Sequence, residues 1–215
     1  GEDDPGDLLS LLLQATDEDG SQMSDRQLRD ELATIILAGH ETTANALSWS
    51  WMLLAQHPEV EHKLAEELQA VLGDRAPALA DLPQLCYTQQ IIKETLRLYP
   101  PLFSLARSPI QDYELAGYRI PTGQIVMFSP WVMQRSARYF TDPLKFQPER
   151  WDEDMEKQLP KGVYFPFGDG PRICLGKNFA QMEAVLLLAT IAQNFKLTLL
   201  PDQSLTPMPS MTLRP

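Results

Sequence analysis

Cysteine is scarce. The 215 residues hold 2, Cys86 and Cys174, too few for the disulfide framework of a small secreted domain, and that scarcity fits a reducing compartment. Net positive charge is missing as well. At -11 the chain lacks the basic surface that phosphate contact requires, which excludes a general nucleic-acid binder. Long hydrophobic runs are absent too: none approaches the ~18 residues of a membrane span. Residues 1–7 are acidic and do not read as a signal peptide. No internal repeat and no low-complexity segment is visible.

What is present is an ordinary globular composition, 44% hydrophobic and 22% charged, in a chain long enough to bury a substantial core. The 18 prolines cluster between Pro100 and Pro171 and again after Pro201. That spacing predicts helices first, then irregular chain with short strands, then one more helix. Residues 8–13 read as a helix fragment. Ser24 and Gln27 have capping-box spacing. Apolar residues then recur at helical period through Leu28, Leu32, Ile35, Ile36, Leu47, Trp51 and Leu54. Such a helix would run to about His57, roughly 50 Å at 1.5 Å per residue. Pro58 opens the next helix at a favoured first-turn position, and Gly73 suits its C-terminal cap. A third helix is expected over residues 85–98, stopping at Pro100-Pro101, with Cys86 as a small buried apolar residue on it.

Short strands are expected at 104–107, 113–115, 117–120 and 124–127. The last two flank Pro121-Thr122-Gly123, a hairpin-like turn. Residues 140–167 read as irregular chain rich in proline and aromatics, a length that is uncommon unless functional. A final buried helix spans 176–194, a strand 196–200, and a turn with a strand-like end 204–215.

Cys174 stands in the loop Phe165-Pro166-Phe167-Gly168-Asp169-Gly170-Pro171-Arg172-Ile173-Cys174-Leu175-Gly176, directly before that last helix. A phosphate-binding loop does not fit. Gly170 and Gly176 are separated by five residues, not four, and Gly176-Lys177 is followed by Asn178 instead of Ser or Thr. A zinc site lacks partners, with no second cysteine nearby and no histidine after His62. Two readings stay open: a buried cysteine in a turn, or a lone thiolate serving as axial ligand to haem iron, which needs one protein ligand on that face. The glycines suit the second, since they permit a tight loop and let backbone N–H groups point at the sulfur. The following helix brings its positive end toward the same atom.

The loop resembles the haem-binding pattern F-x-x-G-x-R-x-C-x-G of cytochrome P-450 proteins at Phe167, Gly170, Arg172, Cys174 and Gly176. Three further motifs follow the family's order. Ala38-Gly39-His40-Glu41-Thr42-Thr43 resembles its oxygen-activation motif. Glu94-Thr95-Leu96-Arg97 and Pro148-Glu149-Arg150-Trp151 resemble the segments that supply a buried trio, here Glu94, Arg97 and Arg150. The family usually has Phe where Trp151 stands. It also often has a histidine near Gln134, where this chain has none.

The resemblance implies a mainly α fold with small β-sheets (α+β), with a long kinked helix over the haem and the cysteine loop beneath it. It implies haem b ligated by Cys174, with Arg172, Arg107, Phe167, Gly168 and Gly176 as further haem contacts. Thr42 would hold dioxygen and Glu41 would relay protons. The trio would support the cysteine loop. Ile35, Ala38, Thr43, Phe103, Ser104, Leu105 and Ser210 would line a pocket for a lipophilic substrate. The implied activity is insertion of one atom of dioxygen into that substrate. NAD(P)H-derived electrons would arrive through a ferredoxin- or flavoprotein-type partner, with Arg135, Arg138, Lys161 and Lys177 as a local basic patch for it. A peroxide-using or isomerising haem-thiolate enzyme, or a truncated non-catalytic remnant, are the alternatives. Family members run to about twice this length, so residues 1–215 are expected to form a single partial domain, the C-terminal haem-binding part of a bacterial-type soluble, cytoplasmic member. The helices that normally precede it are absent from the sequence, and this half alone is expected to hold haem poorly.

Overall fold

The computed structural model describes residues 6–152, 155–201 and 205–215. It divides into two compact units, Gly1–Glu41 and Thr42–Pro215. In the first, α1 (Leu8–Gln14) is capped by Asp7, whose side chain accepts from the Ser10 amide. Helix α2 (Asp25–Gln56) begins in this unit and is helical without interruption at Gly39. Its start is the expected capping box: Ser24 N donates to Gln27 Oε1 at 3.1 Å and Gln27 N to Ser24 Oγ at 3.3 Å.

The second unit holds the main core. The C-terminal part of α2 contributes Trp49, Leu53 and Leu54. Helix α3 (Pro58–Val71), with proline in its first turn, contributes Leu64 and Leu68 and ends at Gly73, whose φ of +57° needs glycine. Helix α4 (Cys86–Leu98) contributes Ile91, Ile92 and Leu96. The last long helix, α7 (Lys177–Ala192), packs Val185 and Leu188 against α3 and α4. Each buries one face at helical period, so apolar area removed from water drives the packing. Two short helices, α5 (Pro130–Met133) and α6 (Met155–Gln158), lie in the proline-rich stretch. Among the described residues no helix is long and apolar enough to cross a membrane.

Among the described residues the strands form three two-stranded antiparallel sheets. Strand β1 (Leu105–Arg107) pairs with β4 (Val126–Phe128), β2 (Tyr113–Leu115) with β3 (Tyr118–Ile120), and β5 (Met208–Pro209) with β6 (Leu213–Arg214). This corrects the expected hairpin around Pro121-Thr122-Gly123. The hairpin turn is Ala116-Gly117, with φ of +52° and +84°, the left-handed pair that matches strand twist. Residues 121–123 instead fold back on the loop before β2. Thr122 N donates to Asp112 Oδ1 at 2.9 Å and Gly123 N to the Pro109 carbonyl at 3.2 Å, which sends β4 to β1.

Two further expectations fail. Residues 196–200 are not a strand; among the described residues nothing pairs with them, and an unpaired ladder gains no hydrogen bonds. Cys86 is exposed, because it is the first residue of α4, where its thiol donates to the Pro83 carbonyl at 3.4 Å. The expected strand-like end at 204–215 is the β5–β6 hairpin, with residue 204 outside the described residues.

Asp81 carries a pH signature. The Arg75 guanidinium holds its carboxyl down at about 2, with 2.6 Å bonds from Nη1 and Nη2, and the Ala78 amide adds to the effect. The folded value lies below the ordinary carboxylate range of ~3.9. The stabilisation is therefore present above that range and is lost as pH falls through about 2. Asp81→Asn is expected to flatten this acid step, read by circular dichroism against pH. An unchanged acid-unfolding profile would contradict the linkage.

Candidate active site

The cysteine loop is built from backbone. Phe167 accepts from the Cys174 amide at 2.9 Å, and Phe165 accepts from the Gly168 amide at 3.0 Å. These bonds close the loop on itself and set where the sulfur stands. Gly168 has φ +75°, and a Cβ there would meet the Arg172 carbonyl at 3.7 Å and Leu105 Cδ1 at 3.8 Å. Its conformation is one that other residues rarely adopt, and it brings the loop against β1. A Cβ on Gly176 would lie 4.0 Å from Cys174 Sγ. Gly176 is also the N-cap of α7, so the sulfur lies just before the start of that helix.

Cys174 is exposed. So are its apolar neighbours: Leu175 is 96% exposed, Phe179 63% and Ile173 46%. Met127 and Phe128 of β4, the partner of β1, are exposed as well. A thiol flanked on its loop by uncovered apolar side chains offers a surface that a flat hydrophobic group would cover. Arg172 is exposed on the same loop and makes no ion pair among the described residues. Arg107 is exposed at the end of β1, its Nη1 donating to the neighbouring Ala106 carbonyl at 2.8 Å. Both guanidinium groups are available to a carboxylate. This donor set fits haem: one soft thiol, an apolar surround and two cations for propionates.

Glu94 is fully buried and accepts from Arg97 Nε (2.8 Å), Arg97 Nη2 (2.9 Å), Arg150 Nε (2.8 Å), Trp151 Nε1 (2.9 Å) and the Gln147 amide (3.0 Å). The structure thus brings Glu94, Arg97 and Arg150 together, on α4 and on the 3-10 turn Pro148–Trp151. Arg97 spends its remaining donors on the carbonyls of Gln134, Pro143 and Lys145. Trp151 was visible in the sequence as a departure from the family's phenylalanine, but its role was not: the indole N–H is a further donor to Glu94. Trp151→Phe is expected to cost about 1.5–3 kcal/mol, the value of a hydrogen bond to a charged group, measured by urea unfolding. A cost under about 0.5 kcal/mol would contradict a bond of that kind.

The elements expected to line the pocket meet in the second unit. Asn45 Nδ2 donates to Thr212 Oγ1 at 3.0 Å, Trp49 Nε1 to the Leu213 carbonyl at 3.0 Å, and the Leu213 amide to the Pro101 carbonyl at 2.8 Å. These tie α2, the segment carrying Phe103, Ser104 and Leu105, and the terminal hairpin carrying Ser210. Phe103, Ser104 and Leu105 are half-buried and Ser210 is exposed. Thr42 is half-buried; Thr43 is buried and its Oγ1 has no hydrogen-bond partner. In the first unit, Ile35 and Glu41 are half-buried and Ala38 is exposed.

The expected basic patch loses one member. The Arg135 guanidinium lies over the rings of Trp131 and Tyr99 at 3.1 and 5.2 Å from their centroids, and its Nη1 is buried without a partner. Burial holds its pKa down at about 10. Arg135 is half-buried with its guanidinium over two rings, whereas Arg138 and Lys161 are exposed and Lys177 is half-buried. Nothing in its sequence neighbourhood distinguished it from Arg138.

The family model for cytochrome P-450 matches residues 2–215. The chain belongs to the cytochrome P-450 family. It is 43% identical to cyclooctatin synthase of Streptomyces melanosporofaciens over 98% of this chain and 46% of that protein. It is 40% identical to pentalenene oxygenase of Streptomyces avermitilis over 96% of this chain and 46% of that protein. Among solved structures it resembles the retinoic-acid-bound cyanobacterial CYP120A1, with a TM-score of 0.91 and 34% identity over 97% of this chain and 48% of that one. The chain spans about half the length of the relatives it matches. The expected fold, mainly helical with small sheets, is that of the family.

Proposed function

We propose that this chain is the haem-binding part of a cytochrome P-450 monooxygenase that inserts one atom of dioxygen into a lipophilic small molecule. The observation that carries the reading is the exposed Cys174 thiol, on a loop fixed by the bond from its amide to Phe167 and flanked in the chain by exposed Ile173 and Leu175. Haem b bound there would supply the one-electron and dioxygen chemistry, with the thiolate donating electron density that favours O–O cleavage.

The chain's own residues hold and orient. Cys174 would hold the haem iron through its sulfur. Arg172 and Arg107 would hold the propionates, since a guanidinium presents a planar donor fork to a carboxylate. Phe167, Gly168 and Gly176 shape the loop so that the sulfur faces outward. Thr42 would position dioxygen by a hydrogen bond, and its helix neighbour Glu41 would pass protons. Thr43, Phe103, Ser104, Leu105 and Ser210, all in the second unit, would exclude water around a lipophilic substrate. Glu94, Arg97 and Arg150 support the loop from within and touch no substrate. Electrons from NAD(P)H arrive through a ferredoxin- or flavoprotein-type partner, for which Arg138, Lys161 and Lys177 offer positive charge. The name of the pentalenene oxygenase relative supports oxygen insertion as the reaction type.

The test is turnover of the haem-loaded protein under labelled dioxygen with a reductase system. One labelled oxygen atom in the product is the expected result. Product formed with peroxide but not with the reductase system would replace this reading with a peroxide-using enzyme. No product with either would leave a non-catalytic remnant.

A further inference from the structure

Gln134 lies in the stretch where the family often carries a histidine, and its side chain is fully buried. Its Nε2 donates to the carbonyls of Leu96 and Arg97 at 3.0 and 3.1 Å, and its Oε1 accepts from the Phe165 amide at 3.0 Å. These partners fix the amide's orientation, since two carbonyls must face the NH2 group and an N–H must face the oxygen. One donor side therefore grips the C-terminal end of α4, and the acceptor side grips the chain entering the cysteine loop. Gln134's own carbonyl accepts from Arg97 Nη1 at 2.8 Å, and Arg97 is held by Glu94. On the other side, Phe165 receives the Gly168 amide and Phe167 receives the Cys174 amide. The bonds run in sequence from the buried carboxylate, through Arg97 and Gln134, to the cysteine's backbone.

We propose that Gln134 is a positioning residue that couples the buried Glu94–Arg97–Arg150 cluster to the cysteine loop and sets where the Cys174 sulfur stands. A neutral histidine has one donor and one acceptor; the amide has two donors and an acceptor and closes both carbonyls at once. Gln134 touches neither the sulfur nor any substrate, so its effect reaches the sulfur through the Phe165 backbone. The consequence for the iron rests on the haem-thiolate reading of Cys174; the tether itself does not.

The test compares four variants. Gln134→Met keeps the volume and removes all three side-chain bonds. Gln134→Asn keeps the amide on a shorter side chain that does not span both sides. Gln134→His restores an acceptor and one donor. Leu64→Ala, a buried core truncation in α3, controls for lost stability. Hydrogen exchange at the Phe165 and Cys174 amides is expected to quicken about tenfold in Gln134→Met relative to Leu64→Ala, the scale of one lost local hydrogen bond. Gln134→Asn is expected to move the same way by a smaller factor, and Gln134→His to recover most of the protection. In the haem-loaded, reduced, carbon-monoxide-bound protein, Gln134→Met should move intensity from the thiolate-type to the thiol-type Soret band, and Leu64→Ala should not. Unchanged exchange at both amides in Gln134→Met overturns the proposal; if that variant does not fold, unchanged exchange in Gln134→Asn does so. Absence of a thiolate-type band in the unsubstituted protein would sink the haem-thiolate reading while the exchange data still decide the tether.

Discussion

Glu94→Leu is expected to destabilise the protein by about 3–5 kcal/mol, the cost of breaking a buried ionic cluster by removing one partner. The carboxylate is fully buried and accepts five hydrogen bonds: two from Arg97, one each from Arg150, Trp151 and the Gln147 amide. Arg97 is also fully buried. Without Glu94 its charge faces only carbonyl dipoles and the Phe140 ring, 5.0 Å from the guanidinium carbon. Most of the loss is therefore the uncompensated Arg97 cation, with a further share from Arg150, whose Nε loses the same carboxylate, and not the absent bonds themselves. The double variant Glu94→Leu/Arg97→Met removes that cation, and is expected to be less destabilised than Glu94→Leu alone. Urea unfolding of the three proteins measures this. A single variant within about 1 kcal/mol of the parent, or a double variant worse than the single one, would contradict the account.

Cys174→Ala is expected to split function from folding. The thiol is exposed and the bond that shapes the loop is made by the Cys174 amide, which alanine keeps. Stability should change by no more than about 0.5 kcal/mol, as for a surface substitution. Under the proposed monooxygenase reading, turnover of the haem-loaded protein should fall by roughly 10³-fold or more, the scale for losing a member of a catalytic unit. Cys86→Ala is the matched control, because Cys86 is also exposed but lies at the start of α4 and makes only a thiol contact to Pro83. Equal activity losses in the two variants would remove Cys174 from its assigned role.

Local signals were legible and non-local ones were not. Pro58, Gly73 and Pro100-Pro101 bracket α3 and α4 because their backbone restrictions act on adjacent residues. Strand β2 was readable over Tyr113–Leu115. Its pairing was harder, because Pro-Thr-Gly carries a stronger turn signal than Ala-Gly. The choice was settled by Asp112 binding Thr122, a contact ten residues apart. The strand expected at 196–200 needed a partner that no local pattern could announce. In the site, Cys174, Glu94, Arg97 and Arg150 stood out through motif spacing. Gln134, Trp151 and Arg135 were named there, but their roles were not legible, because each is defined by what the fold places around it: two carbonyls and an amide, a buried carboxylate, and two aromatic rings.

The central claim is that Cys174 presents a thiolate to haem iron, and the absorption spectrum of the reduced, carbon-monoxide-bound protein tests it most directly. A strongly red-shifted Soret band, absent in Cys174→Ala and retained in Cys86→Ala, is the predicted result. A conventional haem band in the unsubstituted protein, or a red-shifted band that survives in Cys174→Ala, would contradict it.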